Sequence, residues 1–151
     1  ASHAWIPGQR SSPYEMGLGW TVNLDKQGYF VGRRALEREH REGSSWQLVG
    51  LEIAWEGLER EYAVVGMPPQ VPASAVRGSV PVYAGPRQVG YASTSTWSPV
   101  LKKYIALVHL QQPYFTPGTK VEIEVTVEHH RRKSPATVVK LPFYDPEWKK
   151  K

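Results

Sequence analysis

Residues able to do chemistry are few in this chain, and they are scattered. The only aspartates are Asp25 and Asp145, one in a turn-like stretch and one near the tail. Cysteine is absent, which removes any thiolate nucleophile, thiolate metal site or disulfide framework. His129 and His130 are adjacent; neighbours on an extended chain point to opposite faces and make poor joint ligands. No metal site is expected. Ser93, Ser95 and Ser98 stand close together, but none lies in a Gly-x-Ser-x-Gly elbow. Neither a Gly-x-x-x-x-Gly-Lys loop nor a Gly-x-Gly-x-x-Gly turn is present to cradle a phosphate. Nothing assembles a nucleophile, a base and an orienting group.

Binding is better represented than catalysis. With 6 Trp and 8 Tyr, the chain could offer rings to stack on a flat heterocycle. The alternative for Trp20, Trp46 and Trp97 is that they anchor packing between units. Lys26 follows a short apolar stretch in a turn and could hold a carboxylate, or serve only in an exposed salt bridge. The formal charge is +5, from 19 Lys and Arg against 14 Asp and Glu, a modest surplus that would attract an acidic ligand or, weakly, nucleic acid. Part of it sits in His129-His130-Arg131-Arg132-Lys133 and Lys149-Lys150-Lys151, expected to be a solvated loop and a solvated tail.

The elements that would position these groups change character near residue 44. The first dozen residues are rich in Ser, Pro and Gly and read as an irregular arm. Trp20 to Leu24 alternates as a short strand, and Asp25-Lys26-Gln27-Gly28 is a turn by composition. Val31 to Glu42 reads as a helix closed by Gly43, with a Glu37–Arg41 pair at i, i+4 and a narrow apolar stripe of Val31, Ala35 and Leu36. Trp46 to Ile53 then alternates as a half-buried strand. Glu56 to Val76 is irregular, and Pro68, Pro69 and Pro72 argue against a central strand there. Val80–Tyr83 and Gln88–Ala92 flank Gly85-Pro86 as a hairpin. Ile105–Val108 is a short strand, and Val121–Glu128 alternates strictly, one face packed and one wet. Its partner is Ala136–Leu141, across the basic cluster. Five or six short strands with turns between them predict a mainly β fold, a small antiparallel barrel or sandwich. There is no internal repeat.

A chain of 151 residues with 40% hydrophobic and 22% charged residues is ordinarily globular. It could form one domain, or a small domain with a remnant of another. No apolar run approaches the roughly 20 residues that span a bilayer, and Ala1 to Pro7 lacks the features of a secretory signal. The expectation is a soluble cytoplasmic protein with no membrane partner.

Several stretches, taken in order, resemble the glycine cleavage T-protein (aminomethyltransferase) family. They are Ser12-Pro13-Tyr14-Glu15-Met16-Gly17-Leu18-Gly19-Trp20-Thr21-Val22-Asn23-Leu24-Asp25-Lys26, Gly28 to Leu36, Leu48-Val49-Gly50-Leu51-Glu52, Val89 to Pro99, Lys103-Tyr104-Ile105-Ala106-Leu107, Pro117-Gly118-Thr119 and Val138-Val139-Lys140-Leu141-Pro142-Phe143-Tyr144. Each piece is weak alone; the ordered set covers residues 12 to 144. The resemblance implies that residues 1–43 complete a folate-binding region and that residues 44–151 form a C-terminal β-barrel, a distorted jelly-roll type, capping the tetrahydrofolate. It implies too that the remaining, N-terminal portion of the folate-binding protein is this chain's partner. The family's catalytic aspartate and pterin-binding glutamate have no counterpart here, and Glu15 belongs to a later motif. No catalytic residue is therefore assigned, and the chain alone is expected to be inactive.

What carries over from the resemblance is peripheral. Lys26 matches a position where relatives place a basic residue near the folate, and Arg77 matches an arginine before the Pro-Val strand. Trp97 and Tyr144 lie in motifs facing interior surfaces. A cation near the glutamate tail and an aromatic wall beside the pterin or benzoyl ring are the expected roles, against packing onto the missing units. Departures from the family pattern include the long stretch between Ile53 and Arg77, Ser93-Thr94-Ser95 in place of a Thr-Ser-Gly turn, and an extended Asp145-Pro146-Glu147-Trp148 end similar to folate-dependent demethylases. They leave an aminomethyl and a methyl donor both open. Two other readings also stand: a free-standing barrel that holds single-stranded nucleic acid through residues 129–133, and a barrel that binds a protein partner.

Overall fold

A computed structural model describes residues 11–150. The element order is α1 (Arg33–Glu42), β1 (Trp46–Ile53), α2 (Trp55–Ala63), β2 (Val76–Ala84), β3 (Arg87–Ser98), β4 (Lys103–Gln111), β5 (Lys120–Val127) and β6 (His130–Val139), with short 3-10 turns at Gly19–Thr21 and Glu147–Lys150. The strands close into an antiparallel barrel in the order β1-β4-β3-β2-β5-β6. This is the mainly β fold and small barrel that the alternating strands predict. Closing the sheet removes the exposed edges that an open sheet of this size would present.

Alternation decides which side chains go inside. On β5, Val121, Ile123 and Val127 are buried while Glu122 and Glu124 face outward. Val49, Leu51 and Ile53 of β1 meet Ala106, Val108 and Leu110 of β4, and Ala136 and Val138 of β6 complete that side. Leu58 of α2 is 1% exposed and joins the same core.

Four local expectations are revised. Trp20–Leu24 is not a strand: Gly19–Thr21 forms a 3-10 turn, and Thr21 Oγ1 donates to Leu18 C=O at 2.7 Å. A strand also needs a neighbour to take its backbone groups, and no barrel strand pairs with this stretch. The helix starts at Arg33, two residues after Val31, and Glu37 pairs backward with Arg33 at 2.7 Å, while Arg41 meets Glu42. Within residues 56–76, Trp55–Ala63 forms a helix. Its apolar members Trp55, Leu58 and Tyr62 have helical spacing.

The fourth revision concerns the basic cluster. Glu128 and His129 make the turn, and His130 to Lys133 open β6 instead of forming a loop. The register puts Lys133 opposite Glu124 and Arg131 opposite Thr126. Lys133 reaches Glu122 at 3.8 Å, Arg131 reaches Glu124 at 3.7 Å, and Arg132 reaches Glu61 of α2 at 3.4 Å. Lys133 also lies 4.0 Å from the centre of the Tyr83 ring. Polar faces of β5 and β6 thus match in charge across the ladder. Of the other expected basic tail, Lys151 falls outside the described residues, as does most of the N-terminal arm.

The segment before β1 is fastened to the barrel at a few points. β6 pairs with β1 only from Gly50 to Ile53. Beyond that ladder, the Leu48 N–H donates to Glu15 C=O at 2.6 Å, and the Gln112 N–H donates to Ser45 C=O at 2.9 Å. Glu39 of α1 accepts from the hydroxyls of Ser12 and Ser44 at 2.6 and 2.5 Å, tying both ends of the segment to its helix.

Candidate functional site

Lys26 is exposed, in the bend that ends at Gly28. What shapes that bend is Arg33, whose guanidinium donates to the carbonyls of Leu24, Lys26 and Gly28 at 2.9, 3.1 and 2.8 Å. The Glu37 carboxylate holds the same group from its other side at 2.7 Å. A planar fork with five donors suits this task; a lysine ammonium would not span three carbonyls in one geometry. Arg33 was not among the site residues read from the sequence. Its signal there is a cation in the first turn of the expected helix, where the macrodipole makes a cation unfavourable and some other interaction must hold it.

On either side of this bend in the chain, apolar side chains have little cover. Trp20 is 83% exposed, Tyr29 73%, Val31 95% and Leu18 46%. Trp20, which the sequence offers either as a stacking ring or as an anchor between units, is the barest of the three tryptophans named above. Trp46 instead lies 6.4 Å from Tyr91, and Trp97 packs edge-on to Trp55 with ring centres 5.3 Å apart.

The other three sequence candidates sit elsewhere. Arg77 is exposed on β2 opposite Thr94, beside a register shift that runs to Val80. Trp97, on the adjacent strand β3, lines a cavity of about 260 Å³ with Trp55, Tyr104, Glu52 and Lys103. Lys103 and Glu52 close one wall of it as a 2.6 Å ion pair. Tyr144, 48% exposed, follows Phe143. The Phe143 ring lies so close over Gly50 that a Cβ there would meet Cε1 at 2.5 Å. Arg77 and Trp97 are thus on neighbouring strands, while Phe143, the neighbour of Tyr144, covers Gly50 of β1, the strand that holds Glu15. A second cavity, of about 370 Å³, opens between β2 and β5 under Tyr62 and Val71.

Among the described residues, burial clearly perturbs one titratable group. His109 of β4 is 9% exposed, and burial pushes its imidazole below the usual 6.5. Its Nε2 meets Met16 Sδ at 3.2 Å, and its ring stacks on Tyr91 at 5.2 Å. Among the described residues, no group of three or more His, Asp and Glu side chains is placed to hold a metal, and no helix is long and apolar enough to cross a membrane.

A closed barrel preceded by a strapped-on helical segment places the chain in a class that comparison with known proteins makes specific. Residues 47–145 match the glycine cleavage T-protein C-terminal barrel domain. The chain belongs to the glycine cleavage T-protein family. It is 34% identical over 134 residues to an aminomethyltransferase of Prochlorococcus marinus (strain NATL2A), which covers 89% of this chain and 30% of that protein. Against the aminomethyltransferase of Bacillus pumilus (strain SAFR-032) the identity is 32% over 133 residues, 88% of this chain and 31% of the relative. The fold is shared with glycine cleavage system aminomethyltransferase T from Bartonella henselae, with a TM-score of 0.66 at 18% identity over 90% of this chain and 33% of that one. The chain therefore spans about 30% of the length of the curated relatives it matches.

Proposed function

We propose that this chain is the folate-capping part of a cytoplasmic, tetrahydrofolate-dependent one-carbon transferase, and that it closes the site without supplying the reacting groups. Residues 1–43 would complete the folate-binding unit and 44–151 form the cap. The supporting observation is that Leu18, Trp20, Tyr29 and Val31, on either side of the exposed Lys26 in the chain, are all left with little cover. Exposed apolar surface, rimmed by polar groups, marks a place where something else packs.

The residues present suit a folate. Trp20 offers an indole face for a flat ring, and Lys26 and Arg77 offer exposed cations for carboxylates of a glutamate tail. Tyr144 is a further aromatic contact. Trp97, engaged edge-on with Trp55, is less suited to that wall and better placed to stiffen the end of the barrel. When bound, tetrahydrofolate would accept the one-carbon unit; this chain's part is to bind, orient and exclude water. The donor is an aminomethyl or a methyl compound. The alternative nucleic-acid module draws no support from this strand, whose Arg132 is tied to Glu61 of α2 and whose Arg131 reaches Glu124.

The test is reconstitution. Co-expressed with the N-terminal portion of an aminomethyltransferase relative, the chain should form a complex that binds tetrahydrofolate in calorimetry, and Trp20→Ala should weaken that binding at least tenfold. A complex that assembles yet leaves folate affinity indifferent to this chain would overturn the capping role.

A further inference from the structure

The joint between the leading segment and the barrel is built around two side chains with no part in the reading above. His109 projects from β4 directly opposite Leu48 of β1, the residue whose N–H is held by Glu15 C=O. Met16, next in sequence to Glu15, places its sulfur 3.2 Å from His109 Nε2. A thioether only accepts, so Nε2 carries the proton and Nδ1 is the bare lone pair. Among the described residues, Nδ1 is buried with no hydrogen-bond partner.

From this geometry we infer that His109 and Met16 are positioning residues, forming a latch that seats the Glu15–Met16 part of the leading segment on the barrel only while the imidazole is neutral. Protonation would add a charge and an N–H at Nδ1, in a buried place that offers neither a counter-charge nor an acceptor. Tyr91 stacks on one face of the ring at 26°. The cost is relieved by lifting the segment and admitting water.

Other titratable groups facing the joint do not take over this task. Glu15 turns its carboxylate to the Ser12 N–H at 3.0 Å, and Glu39 is held by the hydroxyls of Ser12 and Ser44. Tyr91 faces the ring from β3; Tyr14 lies 5.6 Å from His40 of α1, which is exposed. The sign follows from linkage. Burial lowers the proton affinity of His109 with the segment seated, so the lifted form binds more protons. Seating is fully favoured above the ordinary histidine value of 6.5 and is lost progressively as pH falls below it.

The inference goes beyond the folate reading and stands without it, since it concerns only this chain. Amide hydrogen exchange of Leu48, whose N–H is covered only when Glu15 is seated, reads it directly on the 151-residue protein. Protection of Leu48, corrected for intrinsic exchange, should fall several-fold between pH 7.5 and 5 while core amides such as Val108 hold theirs. His109→Gln keeps a donor for Met16 and cannot charge; it should remove the pH dependence and leave the protection at pH 7.5. Met16→Leu should lower Leu48 protection at pH 7.5. A parallel NMR titration of the His109 ring protects the test against a variant that folds poorly. Leu48 protection that ignores pH, a wild-type response preserved in His109→Gln, or a His109 ring titrating at or above the ordinary value would each overturn the latch.

Discussion

The guanidinium of Arg33 and the backbone carbonyl of Lys26 are joined at 3.1 Å, and the same guanidinium takes the carbonyls two residues to either side. A side chain at the start of α1 therefore sets the path of the bend that presents Lys26.

Replacing Arg33 should disorder that bend while leaving the barrel intact. Arg33→Lys keeps the charge but loses the fork. In both Arg33→Ala and Arg33→Lys, amides of residues 25–29 should exchange faster, and global stability should drop by no more than about 1 kcal/mol, since the bend is mostly exposed. In the reconstituted complex both variants should weaken folate binding as Lys26→Ala does. Equal folate affinity in Arg33→Lys and the parent would detach the bend from the ligand.

Gly57 and Pro135 mark the place where α2 rests on β6. A methyl at Gly57 would lie 2.6 Å from Pro135 Cδ and 2.8 Å from Ser134 Oγ, both closer than a packed interior allows. In an open helix Gly→Ala gains roughly 0.5–1 kcal/mol, so the two effects oppose each other. Overpacking typically costs about 1–3 kcal/mol, and the neighbour here is a ring fixed to the backbone. The crowding should win: Gly57→Ala should lower the urea midpoint with an unchanged slope. A raised midpoint would mean that α2 slides off β6 at little cost.

The same glycine explains why α2 is hard to read from the chain. Trp55, Leu58 and Tyr62 keep helical spacing, but Gly57 and the prolines after Val65 suggest an irregular stretch. The glycine is there for close approach to β6, a fact that lies in another part of the sequence. β5, in contrast, is legible because one face packs and one is wet, which local alternation records in full. The bend around Lys26 falls between these cases. Turn residues show that the chain reverses, yet Arg33, which fixes the bend, acts through backbone carbonyls, whatever their side chains. The exposure of Trp20 is not legible from sequence, because bareness depends on what other segments leave uncovered. For the basic cluster, sign and number were plain from sequence. Its pairing with Glu122, Glu124 and Glu61 needed the register and the position of α2.

Between β5 and β6 the chain reverses at Glu128 and His129 with φ of 46° and 65°. Both residues stand in the left-handed region, as a two-residue hairpin with the sheet's own twist requires. Asn-Gly is the pair best suited to such a turn. An L-residue with a full side chain held there costs roughly 1–2 kcal/mol, part of which Gly returns through the greater freedom of its unfolded chain. Glu128→Asn with His129→Gly should therefore stabilise the protein by about 1 kcal/mol, seen as a higher urea midpoint. His129→Val, a branched residue in the same conformation, should destabilise it by a similar or larger amount. The ion pairs of Arg131, Arg132 and Lys133 lie further along β6, so the gain should persist in high salt, where screening removes surface charge effects. A gain that vanished with salt would assign it to removal of the Glu128 charge and not to the turn.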